Sequence, residues 1–172
     1  MKDKEYTIEA KKKMSKEEIK NVLEINKSNL AKNGGFLHYE GILQHDYVVL
    51  VKYQDEVVAY ALLKEAFLRP DDIYVMQVAV DNNFKSFGVG SQMYNYIYKH
   101  LKGYRFFTAN VNPENTISQN FHKKCGFEVV GKNNLGLVFV RSIKQDAELT
   151  ISSAQKEVLN IGETPANSSS HE

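Results

Sequence analysis

Apolar positions along this chain recur with two different periods, and the change of period marks its elements. From Ser15 onward, Ile19, Val22, Leu23, Asn26 and Leu30 fall at helical intervals, and Ser15 and Glu18 have the spacing of a capping box. Asn33-Gly34-Gly35 is a stop of the kind that left-handed helix caps make. Residues 36–45 read as either a second short helix or a loop. Two β-rich runs follow, Tyr47–Tyr53 and Glu56–Ala66, and the pair Gln54-Asp55 between them predicts a hairpin. Arg69-Pro70-Asp71-Asp72 reads as a turn by composition. Residues 73–80 form a third strand, ending at Asp81-Asn82-Asn83.

A glycine-bearing loop, residues 85–90, leads into a helix whose Val89, Met93, Ile97 and Leu101 share one face. Gly103 closes that helix, and residues 104–111 return to strand character. Residues 115–125 predict another helix, with Ile117, Phe121 and Cys125 on one stripe and Gly126 as its C-terminal cap. Residues 127–130 and 135–142 finish as two strands around a turn. The order β-α-β-β-β-loop-α-β-α-β-β describes an α/β domain (α+β by some schemes). It predicts a mixed, mostly antiparallel central sheet with helices on both faces. This domain is expected over residues 1–144. Residues 145–172 form a tail of few apolar residues, read as one short helix over residues 152–161 followed by disorder.

Composition narrows the function. Lys and Arg total 22 against 21 Asp and Glu, a net charge of +1, which gives no broad basic field for nucleic acid. The cluster Lys11-Lys12-Lys13 with Lys16 reads as a solvated turn before a helix. Cys125 is the only cysteine, so neither an intrachain disulfide nor a cysteine-rich zinc site can form, and no metal is expected. No apolar run nears the roughly 20 residues of a membrane span, and the N-terminus lacks the apolar core of a signal peptide. These features point to the cytosol, with no membrane and no nucleic-acid partner. The aromatic set Tyr94, Tyr96, Tyr98, Tyr104, Phe106 and Phe107 reads as packing rather than a base-stacking platform.

The junction over residues 78–94 carries the chemistry. A strand stops, glycines stand at 88 and 90, and an amphipathic helix begins. The first amides of such a helix have no intrahelical acceptor and sit at its positive end. Glycine lets a phosphate approach them, and Lys85 adds a charge. A nucleotide P-loop does not fit, because Gly-Lys-Ser/Thr does not follow Gly88. A Rossmann fingerprint also fails, since position 93 is Met. One helix and one strand later, residues 112–127 join a strand end to a helix capped by Gly126-Phe127.

Together the two elements resemble the GNAT superfamily of N-acetyltransferases. The family's Gln/Arg-x-x-Gly-x-Gly/Ala motif matches Lys85-Ser86-Phe87-Gly88-Val89-Gly90. Its Asn-x-x-Ala, aromatic and Gly-Phe pattern matches Asn115, Ser118, Phe121-His122 and Gly126-Phe127. The close match covers about residues 74–131. Two positions depart: Lys85 stands for Gln or Arg, and His122 stands where the family often has a tyrosine that protonates the leaving thiolate.

The resemblance implies transfer of an acetyl group from acetyl-CoA to a primary amine by direct attack in a ternary complex. Acetyl-CoA would lie where the strand over 73–80 parts from the strand over 104–111. Val78 and Val80 would pair with the pantetheine arm, and an amide near Val78 would polarise the thioester carbonyl. Lys85, Phe87, Gly88, Val89, Gly90 and Ser91 would hold the pyrophosphate, and Asn115 would bind the arm or cap its helix. His122 is the candidate acid. Some relatives carry a Glu on the strand before the loop; Tyr74 matches that position here, with Gln77 on the opposite face by strand alternation. Asp72, Glu65 or a water stay open as the base, while Cys125 reads as packing. The acceptor is a small-molecule or protein amine, and a homodimer is left open. The alternative is a non-catalytic acyl-CoA-binding sensor or interaction module.

Overall fold

The computed structural model describes residues 5–30, 39–66 and 69–143. The predicted stop at Asn33-Gly34-Gly35 and the whole C-terminal tail lie outside these residues. The elements are β1 (Thr7–Lys11), α1 (Lys16–Leu30), α2 (Tyr39–Ile42), β2 (Tyr47–Tyr53), β3 (Glu56–Ala66), β4 (Arg69–Val80), α3 (Val89–His100), β5 (Phe106–Val111), α4 (Thr116–Lys124), β6 (Glu128–Asn133) and β7 (Gly136–Ser142). The strands form one sheet in the order β1-β2-β3-β4-β5-β7-β6. Every neighbouring pair is antiparallel except β4 and β5, which run parallel. The predicted mixed, mostly antiparallel sheet is therefore the observed one.

Two apolar layers cover the two faces. Between the sheet and α1, Val22 and Ile25 pack with Ile42, Val48, Leu50, Tyr60, Leu62 and Met76. On the other face Val89, Met93, Tyr94 and Ile97 of α3 pack with Val49, Ala61, Val75, Phe107 and Phe139. A fully buried aliphatic or aromatic side chain stabilises by roughly 1.5–3 kcal/mol, so these layers fix both helices to the sheet.

Local chemistry explains the ends. Ser15 Oγ accepts from the Glu18 amide at 3.1 Å, and Glu18 Oε1 accepts from the Ser15 amide at 2.8 Å, which completes the capping box. The same carboxylate receives Lys11 Nζ at 2.8 Å and Lys52 Nζ at 2.7 Å, tying α1 to β1 and β2. Lys11 is thus an ion-pair partner, not a residue of a solvated turn, because Glu18 faces it from the helix start. Gln54 and Asp55 take φ of 50° and 66°, the paired positive angles of a two-residue hairpin turn.

Two expectations are corrected. Arg69-Pro70-Asp71-Asp72 is not a turn but the start of β4. Arg69 pairs with Ala66, Asp72 pairs with Phe106, and the register shift after Glu65 leaves Pro70 and Asp71 without a rung on β3. A proline is tolerated in a strand at such an irregularity. The buried Asp72 is held there by Arg69 Nη1 at 3.7 Å and by Thr108 Oγ1, which donates at 3.0 Å. Gln77 does not oppose Tyr74. Leu62 pairs with Gln77 but Leu63 with Val75, so Met76 is an extra residue on β4, and this bulge returns Gln77 to the α1 face. There Asn26 Nδ2 donates to Gln77 Oε1 and, at 2.9 Å, to the Tyr60 hydroxyl, while Tyr60 donates to Gln77 Oε1 at 2.7 Å.

Candidate functional site

At the end of β4 the chain turns sharply. The Asp81 carboxylate accepts from the Asn83 amide at 2.9 Å and the Asp81 carbonyl accepts from the Phe84 amide at 2.8 Å. Phe84 packs on Tyr53 and Tyr6 at ring separations of 5.5 and 6.3 Å, which anchors the base of the loop. Ser86 and Gly88 both adopt left-handed angles, φ of 73° and 74°. Gly88 is the N-cap of α3, and no side chain caps this helix. Its first internal bond is Gln92 N–H to the Gly88 carbonyl at 3.0 Å, so the amides of Val89, Gly90 and Ser91 precede any helical acceptor.

The two glycines are needed for different reasons. A Cβ on Gly88 would meet nothing within 4 Å, so that position is set by its backbone angle. A Cβ on Gly90 would stand 2.7 Å from the ring of Phe121, so its smallness lets α4 approach α3 rather than admitting a ligand.

Beside this loop the sheet forks. The parallel ladder between β4 and β5 runs from Asp72↔Phe106 to Val75↔Ala109 and goes no further. Beyond that rung β4 continues on β3, and β5 on β7. A cavity of about 480 Å³, within the range of small-molecule sites, is lined by the end of β4, the loop after it, α3 and α4. Of the predicted residues, Val78, Val80, Lys85, Gly88, Val89, Gly90, Ser91 and Asn115 line it. Phe87 does not line it and is 44% exposed.

The opposite wall is the start of α4. Asn115 Oδ1 accepts from the Ser118 amide at 3.0 Å, which settles Asn115 as the N-cap. Ile117, Ser118, Phe121 and Lys124 also line the cavity. The predicted apolar stripe is corrected here: Ile117 is 82% exposed, since it faces the opening and not the core.

His122 replaces it as the buried residue of α4, only 1% exposed. Tyr94, Phe121, Phe127 and Phe139 surround its ring at centroid distances of 5.2–5.9 Å. Nδ1 lies 2.8 Å from the Ser118 carbonyl and 3.3 Å from Ser118 Oγ, and Nε2 lies 3.1 Å from the Tyr94 hydroxyl. A carbonyl can only accept, so Nδ1 carries the proton, and in a neutral ring Nε2 then accepts from Tyr94. The ring does not line the cavity; Ser118 is its contact with it.

The remaining candidates stand apart from the cavity. Tyr74 donates to Asn110 Oδ1 at 2.8 Å, and Asn110 Nδ2 donates to Asn133 Oδ1 at 3.0 Å. Asp72 is engaged by Arg69 and Thr108, and Glu65 accepts from Tyr104 at 2.6 Å and Tyr47 at 3.2 Å. Burial pushes the Cys125 thiol up, which keeps it protonated at neutral pH.

Sequence reasoning missed Asn29, Phe84, Ser86 and Lys124 in the cavity wall. Lys124 had a legible signal, since Ile117, Phe121 and Lys124 recur at i, i+4 and i+7 on one helical face. Asn29 had none, because nothing local shows that the end of α1 reaches β4.

Comparison with known proteins bears on this arrangement. The acetyltransferase (GNAT) family model matches residues 16–127, well over half of the chain. No curated protein sequence matches. Among solved structures, Ard1 from Thermoplasma volcanium is 16% identical over 81% of this chain and 99% of its own, with a TM-score of 0.69. The PaiA N-acetyltransferase from Thermoplasma acidophilum, solved in complex with coenzyme A, is 14% identical over 79% of this chain and 99% of its own, with a TM-score of 0.63. The Salmonella typhimurium protein yncA, solved with its cofactor acetyl-CoA, is 14% identical over 81% of this chain and 95% of its own, with a TM-score of 0.65. At these identities the likeness is one of fold.

Proposed function

The chain belongs to the acetyltransferase (GNAT) family, and from that premise we propose that it transfers an acetyl group from acetyl-CoA to a primary amine by direct attack. One observation carries the reading: the uncapped amides of Val89, Gly90 and Ser91 and the end of β4 beyond its last rung with β5 open onto one cavity. The first suits a diphosphate, with Lys85 and Lys124 adding charge from either side. The second suits an extended arm that pairs with strand backbone.

In the reaction the amine nitrogen attacks the thioester carbonyl carbon, whose developing oxyanion an amide near Val78 stabilises. The tetrahedral species collapses, the C–S bond breaks, and the sulfur takes a proton while the nitrogen loses one to solvent. His122 is the proposed acid, acting through Ser118: the Ser118 hydroxyl gives its proton to the sulfur, Nδ1 of His122 gives its proton to the Ser118 oxygen as Nε2 takes that of the Tyr94 hydroxyl, and the Tyr94 oxygen regains a proton from solvent, where the amine released one. Tyr94 keeps the proton on Nδ1 by donating to Nε2. Tyr74 serves as a positioning residue, since its hydroxyl bridges β4 to β5 past the end of their ladder.

A second reading, acyl-CoA binding without catalysis, draws on the enclosure of His122. Titration with acetyl-CoA tests the cofactor site, and release of free thiol across a panel of primary amines tests transfer. Tight binding with no thiol release for any amine establishes the second reading; absence of binding removes both.

A further inference from the structure

The register of β4 changes at the point where β4 leaves β5. Val75 holds the last rung with Ala109, and the next residue, Met76, is the extra residue of the bulge against β3. A bulge bends its strand and breaks the alternation of its side chains. Met76 packs into the α1 layer, and Gln77 meets Asn26 of α1 on the same face. Beyond them alternation resumes in a new phase: Ala79 joins the α1 layer, while Val78 and Val80 pack against the α3 layer. Without the extra residue, Val78 and Val80 would turn to the α1 face. Their amides would also exchange strand edges with those of their neighbours.

Hydrophobicity does not choose between the two phases. In Ile73–Val80 every residue except Gln77 is aliphatic, aromatic or Met, and both faces of the sheet are covered by apolar layers. Register is weakly specified in such a strand. Gln77 breaks the tie. Its Oε1 accepts from Asn26 Nδ2 and, at 2.7 Å, from the Tyr60 hydroxyl, while Asn26 Nδ2 also donates to the Tyr60 oxygen at 2.9 Å. All three residues are wholly buried. Turned to the α3 layer, Gln77 would lose both donors and bury a polar amide among apolar side chains.

We propose that Asn26, Gln77 and Tyr60 are positioning residues that lock the register of β4 at its bulge, and so set which β4 amides the cofactor's arm and thioester meet. The inference rests on the acetyl-CoA reading above and adds three residues that do not line the cavity. They act through Val78, the next residue after Gln77, which does line it. A buried polar contact fixes register in the same way in helical assemblies whose apolar packing leaves it open.

The experiment compares the full chain with a variant that carries Asn26→Leu, Tyr60→Phe and Gln77→Leu together, which makes the cluster apolar at similar volume. Replacing all the partners at once strands none of them, so the urea midpoint is expected to stay near the wild-type value. Both proteins are titrated calorimetrically with CoA and, separately, with ADP, which has the diphosphate but no arm. The variant is expected to bind CoA about tenfold more weakly and ADP unchanged. Thiol release from acetyl-CoA should slow about a hundredfold, the scale of a small misplacement at a reacting centre. If the triple variant does not fold, Tyr60→Phe takes its place, with CoA binding again weakened and ADP binding unchanged. A merely structural cluster would leave CoA affinity and thiol release at wild-type values, or would weaken CoA and ADP alike; either result overturns the proposal. Should the wild-type chain turn over no amine, the contrast between CoA and ADP tests the lock by itself. If the wild-type chain bound neither CoA nor ADP, the cofactor reading itself would fall, and the proposal with it.

Discussion

The hydroxyl of Tyr74 on β4 donates to Oδ1 of Asn110 on β5 at 2.8 Å, just past Val75↔Ala109, the last rung the two strands share. A side-chain bond thus takes over where the backbone ladder ends. From Asn110 the chain of bonds continues to Asn133, whose Oδ1 also accepts from the Leu135 amide at 2.9 Å in the β6–β7 turn. Tyr74→Phe should lower stability by about 1 kcal/mol, the usual worth of such a bond. Acetyl-CoA affinity should change little, because Tyr74 does not line the cavity. Turnover should fall less than about tenfold; a loss nearer the hundredfold or more of a general base would make Tyr74 the base after all.

His122 separates packing from proton transfer. His122→Ala empties an aromatic cage and should cost about 3 kcal/mol of stability. His122→Phe keeps most of the volume, so any loss of turnover in it reports chemistry. We expect thiol release to fall about a hundredfold in His122→Phe and comparably in Ser118→Ala, with acetyl-CoA affinity nearly unchanged in both. If Ser118→Ala turns over normally while His122→Phe does not, the hydroxyl is not the route of the proton.

The elements and their order along the chain were legible because period and turn chemistry agree along most of it. Tyr47–Tyr53 and Glu56–Ala66 stand as read, flanking the turn at Gln54 and Asp55. Arg69-Pro70-Asp71-Asp72 was not, since its strand character comes from Phe106 and Ala66, partners far away or offset by a bulge. The bulge at Met76 was equally hidden, because one extra residue reverses the face of Gln77 without any local mark. In the site, glycines and the capping asparagine announced themselves through backbone needs. Asn29 and the burial of His122 depend on how helices land on the sheet, which no window of sequence encodes.

Gly88 and Gly90 should respond differently to the same methyl group. Gly88→Ala adds no clash but must hold φ near 74°, a strain of about 1 kcal/mol, and should weaken acetyl-CoA binding only as far as the loop relaxes. Gly90→Ala drives a Cβ to 2.7 and 2.8 Å from two atoms of the Phe121 ring. It should destabilise by about 1–3 kcal/mol and displace α4. Chemical denaturation of both, with Gly90→Ala, Phe121→Leu as a rescue, checks this. A rescue that fails to recover stability would place the conflict elsewhere than the Phe121 ring.

Glu18 gives the fold an acid limit with a definite sign. Burial alone would raise its pKa, but hydrogen bonds from Lys11, Lys52 and the Ser15 amide outweigh it and hold the carboxyl near about 2, against 4.5 ordinarily. A depressed folded value means that the unfolded chain takes up the proton first. The stabilisation is therefore complete above pH 4.5 and drains away as pH falls toward 2. Glu18→Gln should lose roughly 2–3 kcal/mol at neutral pH and show a flatter decline of stability between those two values. Because Glu18 pins the start of α1 to β1 and β2, the variant should also weaken CoA binding, since Asn29 at the other end of the helix lines the cavity. Urea denaturation at pH 7, 4.5 and 3 checks the first part. A Glu18→Gln profile parallel to that of the wild-type protein would assign the acid sensitivity to other carboxylates.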